Sequence, residues 1–343
     1  MDRPVLMATT VPVPMRPAPR GSLSRPRLRW AAARTIRTFQ LRRERGSAVI
    51  LAMLLAALAA AVAVSVFADQ QRWSRNVEHR RDHVQAQAIA VAGVQWARQI
   101  LQDDARTTVI DHLGEPWAIP LPPIPLENGD IRGVIVDAQG RLNVNALGSS
   151  DRASAVGRKR LERLLAQRGG LAGTLDAIAD WIDADAIARA GGAEDGYYAT
   201  QAMPSLAANA PALHVAELAA VRGVAPAALV AAEPLLAALP QGTPTNVNTA
   251  PPEVLAAIVD NLSGSALATL TASRAQKPFA TVAEFRARLP AGATLAEEDA
   301  LSVKSEYFLV SVEARQGITV ARARALVRRA GGVSPAVVWQ IVD

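Results

Sequence analysis

The chain has no cysteine, which excludes disulfides and thiolate-bound metal. Histidine is almost as scarce: His79, His83, His112 and His214 are the four. None stands at a recognisable spacing from a serine or acid for a nucleophilic triad. His79 and His83 in "HRRDH" sit one helical turn apart, as in H-E-x-x-H zinc sites, but Arg80 occupies the place of the general-base glutamate. That stretch reads as a solvated helix face. There is no Walker loop and no G-x-G-x-x-G, and no constellation here predicts an enzyme. Between Pro26 and Pro116 there is no proline at all, so nothing in that span interrupts a helix.

What is present is unevenly distributed. The chain carries a net +6 over 343 residues, at first sight the balance of a nucleic-acid binder. Residues 1–46, however, hold eleven arginines against Asp2 and Glu44, a net of +9, which leaves −3 for Ser47 to Asp343. The basicity belongs to the leader, where it reads as a positive-inside signal. Ala48 to Ala68 follows with Ser65 as its one polar side chain, long enough to cross the roughly 30 Å core of a bilayer. A cleaved secretory signal has a shorter apolar stretch. Beyond it, Trp73, Val77, Val84, Ala88 and Val91 recur at helical spacing. One helix is expected from Ser47 to about Asp104, roughly 85 Å long at 1.5 Å per residue.

A basic leader, a glycine and an apolar helix running into an amphipathic one resemble a type IV prepilin. The resemblance implies peptidase cleavage after Gly46, with Ser47 as the new, N-methylated terminus. Most pilins carry glutamate at the fifth mature position; here it is Leu51. That substitution is typical of the type II secretion system protein K family, the minor pseudopilin K. The stretch Gly133–Asn145, "GVIVDAQGRLNVN", resembles the family's G-x-I-x-D-x-x-G-R-F-N-L-N with Leu142 in the aromatic position.

Read from residues, "IRGVIVDAQGRLNVNAL" predicts a hairpin turning at "DAQG". "GEPWAIPLPPIPLENGD" before it is unsuited to a central strand. Helices are expected over 159–167, 174–183, 215–221, 226–239, 252–261 and 282–289, the last capped by Thr281 with Glu284. Strands are expected over 307–312, 318–327 and 337–342. The expected organisation is a leader (1–46), a transmembrane and stalk helix (47–110), the first part of a sheet (111–148), an inserted helical domain (149–298) and closing strands (299–343). The fold class is α+β: a type IV pilin-like fold, long N-terminal helix plus antiparallel sheet, with a large inserted all-α domain.

The densest polar group is "DWIDADAIARAGGAEDGYY", five carboxylates within sixteen residues. Counted from Asp183, Asp185 and Glu194 fall at positions 3 and 12 of an EF-hand loop, but Ile187 and Ala188 at positions 5 and 6 break the pattern. A solvated acidic turn and a cation site are both open on residues alone. The stretch resembles the D-W-I-D-x-D…G-A-E-D-x-Y loop of the protein K family, and this implies structural Ca²⁺ on Asp183, Asp185, Glu194 and Asp195.

"HVAELAAVRGVAPAAL" and "NVNTAPPEVLAAI" resemble helix-hairpin-helix pieces of DNA-binding proteins. Gly223 stands alone there and basic residues are sparse, whereas phosphate binding needs positive charge. Asn246 and Asn248 are expected to fix the turn before Pro252. The family resemblance implies a minor pseudopilin at the tip of the periplasmic pseudopilus. It would sit as a single-pass protein in the bacterial inner membrane, be processed by prepilin peptidase, and start assembly with the minor pseudopilins I and J in support of protein secretion. No nucleic-acid partner is expected; the alternative reading is a membrane-anchored helix-hairpin-helix DNA receptor.

Overall fold

The computed structural model describes residues 45–149, 151–166, 171–295, 300–331 and 333–343. Nearly all of the expected leader lies outside these residues. By contacts the chain divides into residues 1–66 and 67–343. Of the first unit, residues 45–66 are described; they belong to α1 (Arg45–Thr107), and their side chains from Ser47 on are exposed. This helix is long and apolar enough to cross a membrane.

In the second unit α1 continues without a break, then a 3-10 turn (Pro116–Ala118) leads to β1 (Leu121–Leu126) and β2 (Gly129–Asp137). The chain then leaves the sheet for a mostly helical excursion. It holds β3 (Leu142–Asn143), α2 (Arg152–Ala166), α3 (Leu175–Ile182), α4 (Asp195–Tyr198), α5 (Pro226–Ala232), β4 (Leu236–Ala237) and β5 (Thr245–Asn246). It continues through α6 (Pro252–Ile258), β6 (Val259–Asp260), α7 (Gly264–Gln276), α8 (Val282–Ala287), β7 (Thr294–Leu295) and β8 (Leu301–Ser302). It re-enters as β9 (Tyr307–Gln316), β10 (Thr319–Arg328) and β11 (Ala336–Val342). The sheet order is β1-β2-β9-β10-β11, antiparallel throughout. The excursion is therefore inserted between two neighbouring strands. It is not purely helical: β3 and β4 pair in parallel, β5 and β8 in parallel, and β6 and β7 antiparallel.

The inward face of β9 reads Phe308, Val310, Val312, Ala314, and that of β10 reads Ala321, Ala323, Ala325, Val327, the period-2 alternation of a half-buried strand. Against it α1 lays Ala86, Ala90, Val94, Ala97 and Leu101. Small side chains let helix and sheet approach closely. At Gly93 a Cβ would stand 2.7 Å from Val312 Cγ1, so glycine is required for the contact. Trp73, Val77, Val84 and Ala88 are exposed, and only Val91 is partly covered. The sheet selects a face of alanines, whereas the reading from sequence followed the large apolar residues.

The hairpin expectation is also corrected. β2 does pair antiparallel, but with β1 and β9. "DAQG" forms a 3-10 turn in which Asp137 Oδ1 accepts from the Gln139 N–H at 2.8 Å. Leu142, Val144 and Leu147 then turn into the core of the insert with Leu161, Leu165, Leu175, Ile178, Ile182, Phe279 and Phe285. Within 142–146 only Leu142–Asn143 form a strand, β3, and its partner is β4 and not β2; Val144 opens a 3-10 turn. Residues 138–148 thus belong to the insert. The proline-rich β1 lies at the sheet edge, where missing N–H donors are tolerated. The outer sheet face meets the insert through Ala138, Ala237, Leu239, Tyr307 and Leu326.

Among helices, α7 was not expected from the sequence. Ser263 caps it, accepting from Ala266 N at 3.3 Å, and Leu270 and Arg274 are its buried side chains. So narrow an apolar face leaves little periodic signal. Thr281 caps α8 as expected, accepting from Glu284 N at 3.1 Å. The three closing strands form at the expected places.

Candidate metal centre

The acidic loop is held at both ends by helices. α3 ends at Asp183, whose N–H donates to Ala179 O at 2.9 Å, and α4 begins directly after Glu194. Between them the loop folds back on α3. Gly191 N donates to Asp176 Oδ2 at 3.2 Å, and at Gly192 a Cβ would fall 1.7 Å from Asp180 Oδ2, so only glycine fits. Arg222 braces the loop from outside, donating to Gly192 O at 2.8 Å and lying over the Tyr197 ring.

This folding brings one oxygen each of Asp183, Asp185 and Glu194 within 4.8 Å of one another. Two ligands of one calcium ion, each about 2.4 Å from it, can be no farther apart than about 4.8 Å. Asp195, the fourth expected ligand, is not among these three; its Oδ1 accepts from Ala207 N at 2.8 Å. It is not in the cluster because it fixes the following loop.

Two residues outside the expected set shape the electrostatics. Asp180 is fully buried and bonds Arg189 through both oxygens, Oδ2 to the backbone N–H at 3.1 Å and Oδ1 to Nη1 at 2.5 Å. Arg189 Nη1 also reaches Asp183 Oδ2. A single base inside an acidic run is the sequence signal that could have found it. Of the three clustered carboxylates the guanidinium reaches only Asp183, at Oδ2. Asp183 Oδ1 and both oxygens of Glu194 are buried without a hydrogen-bond partner. Burial pushes the Glu194 carboxyl up to about 7, with Asp180, Asp183, Asp185 and Asp195 adding repulsion. Buried acceptors without donors are costly unless an ion or proton meets them. The donor set is all carboxylate oxygen, which suits a hard cation such as Ca²⁺. An ion held there would fix the loop between α3 and α4.

Asn246 Oδ1 accepts from Asn248 N at 2.9 Å, as expected for the turn. Asn246 Nδ2 also donates to Asp111 O and Asp137 Oδ2, both at 3.0 Å, tying the insert to the sheet. The helix-hairpin-helix-like pieces bury Val215, Leu218, Val221, Val254, Leu255 and Ile258 in the insert core. His79 and His83 are exposed on α1. Gly46 and Ser47 fall in its first turn.

Residues 140–241 and 245–304 each match a family described as type II secretion system (T2SS), protein K. The type II secretion system protein K of Pseudomonas aeruginosa is 31% identical over 288 residues, covering 80% of this chain and 86% of that protein. Its counterpart from Pectobacterium carotovorum is 29% identical over 307 residues, covering 84% and 94%. In fold the chain resembles a solved chain from the GspK-GspI-GspJ complex of the enterotoxigenic Escherichia coli type 2 secretion system. There the TM-score is 0.67 at 24% identity, covering 78% of this chain and 99% of that one. The motifs, the α+β fold and the length of the match to relatives agree: the chain belongs to the type II secretion system protein K family, the minor pseudopilins of that machine.

Proposed function

We propose that this protein stands at the tip of the periplasmic pseudopilus and starts its assembly with the minor pseudopilins I and J. The observation that carries this is the apolar start of α1 continuing without a break into the helix that packs on the sheet, in a chain of the protein K family. A solved chain of like fold was crystallised as a complex with GspI and GspJ, which supports those partners here. The anchor lies in the inner membrane with the C-terminal unit in the periplasm, in keeping with the basic leader. Prepilin peptidase cuts after Gly46 and Ser47 is N-methylated. Leu51 suits a top position: a fifth-position carboxylate with no neighbouring amino terminus would be a buried, unpaired charge, costing several kcal/mol as an order of magnitude. The role is structural, and Asp183, Asp185 and Glu194 hold a structural Ca²⁺ in the insert.

N-terminal sequencing of the membrane-extracted protein tests the reading. It should begin at Ser47, and Gly46→Val should block cutting because a site fitted to glycine has no room for a β-branched side chain. A mature chain starting beyond Ala68 would sink it.

A further inference from the structure

A second set of carboxylates is buried where α1 ends. Asp104 in its last turn, Asp111 in the connection that follows and Glu115 before the 3-10 turn are 7%, 3% and 3% exposed. One oxygen from each lies within 4.8 Å of the others. Arg329, just past β10, donates to Asp104 Oδ2 at 2.6 Å, to Asp111 Oδ1 and to Ser305 O at 3.0 Å. Asp111 Oδ2 accepts from Ser305 N at 2.7 Å. Glu115 Oε2 accepts from Trp117 Nε1 at 2.8 Å and His112 N at 2.9 Å, while Glu115 Oε1 is buried with no partner.

We infer that Asp104, Asp111 and Glu115 form a second cation site, for a hard divalent ion of the calcium class. Arg329 pairs with Asp104 and Asp111 and Glu115 is met only by neutral N–H donors, so the ionised triad exceeds its one guanidinium by two negative charges. The next ionisable group in the network makes this worse: Asp137, reached through Ser305 Oγ at 2.6 Å, is a fourth carboxylate. An uncompensated charge pair is not kept out of water for nothing. A divalent ion balances the triad and Arg329, fits the 4.8 Å span of one coordination shell, and would give the side chain that carries the orphaned Oε1 a partner. It would staple the end of α1 to the start of β9 and the end of β10. The site is independent of the acidic loop and does not rest on calcium being bound there.

Equilibrium dialysis of the full chain in detergent against Ca²⁺, after chelation, tests it. Two ions per chain are expected, falling to one in Glu115→Gln and to one in Glu194→Gln. If Glu115→Gln leaves the count unchanged, protons compensate the triad and the site is refuted, whatever the acidic loop does. A loss that follows Glu194→Gln alone leaves only the loop site standing, and a loss that follows Glu115→Gln alone leaves only this one. Terbium gives a readout with the site intact. In the chain with Asp183 and Glu194 both changed to Ala, which removes the loop site beside Trp181, Tb³⁺ should still emit on tryptophan excitation, because the Trp117 indole bonds Glu115. Absence of that emission overturns the proposal even if Glu115→Gln fails to fold.

Discussion

Asp137 receives four hydrogen bonds, from Gln139 N, Asn246 Nδ2, Thr249 Oγ1 and Ser305 Oγ. Even so, burial outweighs them and pushes its carboxyl up to about 6 from 3.8. An acid whose folded pKa is raised favours the fold below its unfolded pKa and loses that contribution as pH climbs through the folded one. Between about pH 4 and 6 the native state therefore binds the extra proton. Urea unfolding at several pH values should show the Asp137→Asn chain with a flatter slope than wild type in that window. The ceiling on the difference is about 3 kcal/mol. Equal slopes would mean that Asp137 is ionised without penalty. At the acidic loop, calcium should stabilise the fold by mass action, about 2.7 kcal/mol at a hundredfold excess over its dissociation constant, and so raise the melting temperature. Magnesium should do little, since it demands a smaller octahedral shell. Changing Asp183 and Glu194 together to Ala should remove the part of this response that belongs to the loop. A calcium response unaltered in that variant would leave the loop a solvated turn.

At the level of elements, what the sequence made legible was what repeats. β9 and β10 alternate over ten residues each, and the apolar run at the start of α1 has no competing reading. Long-range pairing was not legible. The stretch from Asp137 carries a strand-like pattern, yet Leu142 pairs with Leu236 and Asp137 accepts from Thr249 Oγ1, about a hundred residues away, and no local rule reports them. The site was half legible: Asp183, Asp185 and Glu194 converge, but Asp195 is spent on Ala207 and Arg189 neutralises Asp180. The packing face of α1 was missed because alanine and glycine give weak hydropathy, although close approach is what the sheet demands. That face yields a measurable consequence. Gly93→Ala puts its Cβ 2.7 Å from Val312 Cγ1, and overpacking of this kind costs about 1–3 kcal/mol. Thermal melts should show the loss, and Val312→Ala in the same chain should recover part of it by opening the space. A Gly93→Ala chain as stable as wild type would mean that the helix can withdraw from the sheet without cost.

For the molecule as a whole, the apolar surface that its own fold leaves open sets the last expectation. Trp73, Val77 and Val84 on α1 are 71%, 45% and 64% exposed, and none packs on the sheet, whose helix face is filled by Ala86 to Leu101. Aromatic and β-branched side chains at helical spacing on an open face call for another chain, since water is a poor neighbour for them. With −3 on Ser47 to Asp343, a nucleic-acid backbone is an unsuitable one. Co-expressed with pseudopilins I and J and extracted in detergent, the full chain should co-purify with both in the absence of DNA. Trp73→Asp together with Val84→Asp should weaken that recovery while leaving the unfolding free energy within about 0.5 kcal/mol of wild type, as expected of surface positions. Recovery unaffected by the two charges would move the contact elsewhere on the molecule. A chain that ignores both partners yet holds duplex DNA with a steep salt dependence would return the helix-hairpin-helix reading to first place.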